Sequence, residues 1–136
     1  MKQDCALDQP AKSYLGICIG SSTVSCVRIG SDNGQIDVLS SRCKPHHGDP
    51  KGCLTSLLSG DSNQTVAGFA VVRRTSVSNG SIPILTEPEA LEYAYEYVAA
   101  TGFECDAIVS AGGEVFFVYR LDRTGHIARV FSGNKC

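Results

Sequence analysis

The sequence predicts an α/β chain: a mixed sheet built in the order βββαβα, followed by a second βββ meander. Three observations carry this. Short apolar runs at 14–19, 24–29 and 35–42 are separated by glycine turns. Two amphipathic stretches at 49–59 and 87–101 carry helix start and stop signals. Strand-like runs at 105–109, 115–121 and 126–131 then repeat the opening pattern. A pattern begun twice suggests two related lobes, the second unfinished. The expected division is a flexible tail at 1–13, a first lobe at 14–102 and the start of a second at 103–136.

Each element has a local reason. Tyr14 to Ile19 is a short apolar run of the kind found in buried strands. Gly20-Ser21-Ser22-Thr23 punctuates it, and Val24 to Ile29 forms the next strand. Gly30-Ser31-Asp32-Asn33-Gly34 is a hairpin turn, because Asn and Gly tolerate positive φ. Gln35 to Arg42 alternates as a third antiparallel strand. Lys44 to Gly48 is a loop.

Asp49 before Pro50 is an N-cap followed by proline at the first helical position. Cys53, Leu54, Leu57 and Leu58 then share a helical face, and Gly60 ends it. Thr65 to Val72 is a fourth strand, and Arg73 to Ser81 a polar linker. Thr86 and Glu89 make a capping box. Ala90, Leu91, Ala94, Tyr97 and Val98 follow helical spacing, and Gly102 stops the helix. Val115, Phe117, Tyr119 and Leu121 alternate against Phe116 and Val118, so the strand at 115–121 is apolar on both faces and is expected to be buried on both.

Composition excludes several classes. The 136 residues suffice for one modest core or two small lobes. A net charge of −2, from 12 basic and 14 acidic side chains, gives no footprint for nucleic acid or an anionic membrane. No apolar run reaches the roughly 20 residues of a membrane span. Seven cysteines are scattered without a Cys-x-x-Cys pair, several inside strand-like runs where a thiol behaves as a small hydrophobe. This usage points to the reducing cytosol. The triplets at Asn63 and Asn79 are then chance glycosylation matches. Cys43, His46, His47 and Cys53 have zinc-ligand chemistry but not the spacing of a zinc knuckle, and are read as a solvated loop.

The chemistry concentrates in two glycine turns. Gly20, Ser21, Ser22 and Thr23 offer backbone amides flanked by hydroxyls, which can form a concave nest for a phosphate. Gly112 and Gly113 offer a second such turn at the matching place in the repeated meander, with Glu114 as its acidic group.

Three segments carry a resemblance: Leu15-Gly16-Ile17-Cys18-Ile19-Gly20-Ser21-Ser22-Thr23, Ile108-Val109-Ser110-Ala111-Gly112-Gly113-Glu114 and Gly133-Asn134-Lys135-Cys136. Together they resemble the CoA-substrate-specific enzyme activases, the ATPase activators of 2-hydroxyacyl-CoA dehydratases and benzoyl-CoA reductases. The resemblance implies a ribonuclease H-like (actin-like ATPase) first lobe and the opening strands of a second, cut within a cluster-binding motif. It implies ATP with Mg²⁺ held by the two turns, and an iron–sulfur (4Fe-4S) cluster with Cys136 as a ligand at a homodimer interface. It implies electron transfer to a CoA-thioester dehydratase or reductase as partner.

The sequence departs from that family pattern at its charged positions. Cys18 and Ser110 stand where the family has Asp, and Ser25 and Phe117 where it has Lys. Glu114 and Val115 stand where the family has Gln and Asp. A thiol and a hydroxyl do not replace hard oxygen ligands for Mg²⁺. The expectation is therefore weak nucleotide binding and negligible hydrolysis. A non-catalytic interaction module of a longer fused protein is the alternative.

Overall fold

The computed structural model describes residues 12–60, 65–73, 82–113 and 115–134. Glu114, Cys136 and the triplets at Asn63 and Asn79 lie partly or wholly outside them. The chain runs β1 (Lys12–Ile19), β2 (Thr23–Asp32), β3 (Gln35–Pro45), α1 (Pro50–Ser59), β4 (Gly68–Arg73), β5 (Ile84–Thr86), α2 (Glu87–Ala99), β6 (Ala107–Ala111), β7 (Val115–Leu121) and β8 (Ile127–Asn134).

Two sheets form. The first is five-stranded in the order β3-β2-β1-β4-β5. Strands β1, β2 and β3 are antiparallel neighbours, as the turn chemistry predicts. Asn33 and Gly34 take positive φ in the β2–β3 turn, the conformation expected of them, although the strand runs on past its apolar pattern to Asp32. Strand β4 joins β1 in parallel, with Ile17 beside Val71 and Cys18 beside Val72. The second sheet is the meander β6-β7-β8, antiparallel throughout.

One strand is additional to the sequence expectation. Strand β5 pairs in parallel with β4 through only three residues, Val72 opposite Leu85 and Arg73 opposite Thr86. A three-residue strand leading directly into a helix leaves too little pattern to read.

Helix α1 supplies the core. Asp49 accepts from Gly52 N–H at 2.8 Å and so caps it. Leu57 is fully buried with Val24, beside Ile17 and Cys26, and Cys53, Leu54 and Leu58 pack around them. Burying such a Leu contributes about 1.5–3 kcal/mol, which is what holds a helix of ten residues.

Helix α2 begins in its capping box: the Glu89 carboxylate accepts the Thr86 N–H at 2.8 Å and its hydroxyl at 2.7 Å. Gly102, at φ 87°, donates to Ala99 O and marks the stop. The inward face differs from expectation. Ala94, Tyr97 and Val98 are exposed, while Leu91, Glu92, Tyr95 and Ala99 turn inward. Apolar residues lie on more than one side of this helix, and a polar contact selects the side. Glu92 Oε1 accepts Ile127 N–H at 2.7 Å and Glu92 Oε2 meets His126 Nδ1 at 3.3 Å.

That contact docks the β7–β8 hairpin on the helix. On β7, Tyr119 and Leu121 are buried, and the Phe117 and Tyr119 rings lie 5.9 Å apart on the same inner face. The outer face differs from the expected two-sided burial. Val109, Val118 and Phe131 form one cross-strand row there, and Val109 is 64% exposed. Among the described residues nothing covers that face.

Candidate functional site

Three parallel strands, β1, β4 and β5, end at one edge of the first sheet. Open α/β sheets bind ligands beyond the carboxyl ends of such strands. A cleft of about 350 Å³ lies there. Its floor is Cys18, Ile19 and Val72, and Arg73 stands at the strand end. One wall is the turn at Gly20, Ser21 and Thr23. The opposite wall is Ser110, Ala111, Gly112, Val115 and Phe117 of the second sheet, and helix α2 closes the back through Glu87, Ala90 and Leu91.

The two glycine turns are built alike. Gly20 N–H donates to Thr23 O at 2.9 Å, and Gly112 N–H donates to Val115 O at 3.0 Å. They also approach each other. A Cβ on Gly113 would stand 2.9 Å from Ser22 Oγ and 3.4 Å from Ser21 Oγ. Glycine at 113 lets the facing turn come this close, since a Cβ there would displace the Ser22 hydroxyl. Of the glycine-turn residues, Gly20, Ser21, Thr23 and Gly112 line the common cleft, while Ser22 and Gly113 meet each other where the turns approach.

Of the described residues lining the cleft, Glu87 alone carries a carboxylate. It is the first residue of α2, placed by the end of β5. Ser110 Oγ donates to Glu87 Oε1 at 2.5 Å, which ties the acid to the second sheet. Cys18 faces the same space. Partial burial on the cleft floor pushes its thiol pKa up, and the nearby Glu87 and Cys43 push it further. Cys18 is therefore a neutral thiol at physiological pH.

The sequence reading missed Glu87 and Arg73. By pattern alone Glu87 belongs to a capped helix start and Arg73 to the linker after the fourth strand. The available signal was positional: an acid and a base directly following short β-runs, in a fold whose sites sit at strand ends.

The end of β3 and the loop after it are solvated as expected at Cys43, Lys44, Pro45, His47 and Gly48, and differ at one residue. His46 is half-buried against the first turn, with Nε2 3.3 Å from Gly20 O. Cys53 Sγ points to Lys44 O and Pro45 O at 3.8 Å. Among the described residues no group of three or more His, Cys, Asp and Glu side chains could hold a metal ion. The zinc chemistry of Cys43, His46, His47 and Cys53 is not assembled.

No family model matches the sequence, and no curated protein matches it. Solved structures do match its fold. The activator of the 2-hydroxyisocaproyl-CoA dehydratase from Clostridium difficile, with bound ADPNP, superimposes with a TM-score of 0.61 at 20% identity, covering 91% of this chain and 46% of that one. The PPX-GPPA enzyme of Aquifex aeolicus gives 0.57 at 16% identity, covering 90% and 52%. An exopolyphosphatase from Cytophaga hutchinsonii gives 0.56 at 9% identity, covering 90% and 50%. The chain spans about half the length of these structures. The closing turns, the mixed sheet and these superpositions agree: the chain has the actin-like ATPase (ribonuclease H-like) fold.

Proposed function

We propose that the cleft binds the phosphate end of a phosphoanhydride, a nucleoside triphosphate or an inorganic polyphosphate, between its two glycine turns. The approach of Gly113 to Ser22 carries this reading, because it sets two similarly closed turns face to face. Backbone amides of such turns bind anions without a dedicated cation. Arg73 adds positive charge at the rim.

Glu87 is the group available to orient a water against a bound terminal phosphate. Its hydrogen bond to Ser110 holds it in place. Magnesium fits here only as an ion carried largely by the phosphates and water, with Glu87 as one oxygen ligand. When bound, it would screen phosphate charge. Binding therefore outlasts hydrolysis in this cleft.

The finer reading is the front portion of an activase-type ATPase, dividing into a first lobe at 14–102 and the opening of a second at 103–136. The superposition on the ADPNP-bound activator supports it. On that reading the partner is a CoA-thioester dehydratase or reductase, and a homodimer would bridge an iron–sulfur cluster through Cys136. The described residues offer no cluster-binding group, so no electron-transfer step is drawn through them. A non-catalytic binding module is the second reading, favoured by the thiol at Cys18 and the hydroxyl at Ser110.

Calorimetry with ATP, ADP and inorganic tripolyphosphate, with and without Mg²⁺, tests the proposal. Binding is expected, with loss in Gly113→Val, whose side chain enters the space of Ser22. ATP preferred over tripolyphosphate identifies the nucleotide; the reverse identifies the polyphosphate. Slow hydrolysis that falls to background in Glu87→Gln, with binding kept, supports the ATPase reading over the module. Absence of binding to all three, or binding unaffected by Gly113→Val, overturns the proposal.

A further inference from the structure

We infer that His46 is a positioning residue that orients the first glycine turn toward an anion. The inference rests on the phosphate-binding reading of the cleft.

His46 touches the turn twice. Its backbone N–H donates to Ser22 O at 3.0 Å. Its Nε2 lies 3.3 Å from Gly20 O. The other ring nitrogen decides the tautomer: Nδ1 accepts from Gly48 N–H at 3.1 Å, so the neutral ring carries its proton on Nε2. The ring therefore donates to Gly20 O. Gly48 can turn its amide onto the ring because it adopts φ 90°, and His47 before it φ 47°.

The hairpin bond uses the other polar group of Gly20, whose N–H donates to Thr23 O at 2.9 Å. Gly20 C=O is fixed separately, by the His46 ring.

Peptide planarity extends the effect. In a trans peptide the C=O and the following N–H point in opposite directions. Fixing Gly20 C=O toward His46 aims Ser21 N–H the other way. Fixing Ser22 C=O aims Thr23 N–H likewise. Gly20, Ser21 and Thr23 line the cleft, and His46 does not. One residue behind the turn thus presents its amides in front, the ring through Gly20 and the backbone through Ser22.

The test compares the full chain with His46→Leu and His46→Gln. Gln restores a donor near the Nε2 position; Leu removes it. Neither changes the backbone bond to Ser22. Two readouts are needed: calorimetry with inorganic tripolyphosphate, and amide hydrogen exchange at Ser21 and Thr23. In His46→Leu, Gly20 O is released and the protection that tripolyphosphate gives the Ser21 amide falls, while that of Thr23, held through the Ser22 bond, is kept. Tripolyphosphate binding weakens about 3- to 10-fold, the worth of one net hydrogen bond. His46→Gln recovers most of both. Unchanged Ser21 protection in His46→Leu overturns the inference, as does equal loss of binding in the Leu and Gln variants. A parent chain that binds no tripolyphosphate overturns the phosphate reading itself, and the inference with it.

Discussion

Ser110 donates its hydroxyl to Glu87 across 2.5 Å, joining the first strand of the second sheet to the first residue of α2. The bond spans the two halves of the cleft and places a carboxylate beside the Cys18 thiol. The first prediction comes from that placement.

Burial, then the Glu87 charge, then Cys43 raise the Cys18 pKa. Removing the Glu87 charge lowers it and increases the thiolate fraction at a given pH. Glu87→Gln is therefore expected to speed alkylation of Cys18 by iodoacetamide about two- to fivefold at pH 8. The folded pKa lies above the unfolded one, so the stability linked to this thiol is present below the unfolded pKa and lost as pH rises through the folded value. Mass-resolved alkylation rates check it; an unchanged or slower Cys18 rate contradicts the electrostatic account.

Glu92 docks the β7–β8 hairpin on α2. The Ile127 amide and the His126 side chain hold its pKa below the ordinary carboxylate value. A depressed folded pKa stabilises above the unfolded pKa, and that contribution is lost as pH falls through the folded value. Protection of the Ile127 amide, relative to its intrinsic exchange rate, should therefore fall as pH drops below the ordinary carboxylate range. Glu92→Ala should show the low protection already at neutral pH. Equal Ile127 protection in both proteins at neutral pH would count against the docking role.

Leu57 is 1% exposed and packs on Val24, which is 0% exposed. Leu57→Ala leaves a cavity that the short helix cannot collapse to fill. A loss of about 2–5 kcal/mol is expected in urea unfolding. A loss below about 1 kcal/mol would mean that α1 is not what covers this sheet.

Val109 and Phe131 flank Val118 across the outer face of the second sheet, at 64% and 53% exposure. Exposed apolar rows of this kind promote association. The chain should self-associate with rising concentration in sedimentation. Phe131→Lys should suppress this. Phe117→Ser should not act in the same way, because Phe117 lines the cleft on the inner face. A parent chain that stays monomeric at high concentration refutes the idea.

Local chemistry made most of the elements legible. Asn33-Gly34 set a hairpin because few other residues accept those φ angles. Asp49-Pro50 and the Thr86–Glu89 box fixed two helix starts, since caps act within a few residues. The paired glycine turns could be matched because each depends on its own short segment. Tertiary structure decided the rest. Glu87 and Arg73 entered the cleft only when β5 paired with β4, a contact between segments that no local pattern specifies. Glu92 chose the inner face of α2 through a partner 35 residues away. His46 gained its place behind Gly20 because β3 returns beside β2, 26 residues along the chain. Periodicity reports which residues share a face, but only the packed neighbour determines what that face meets.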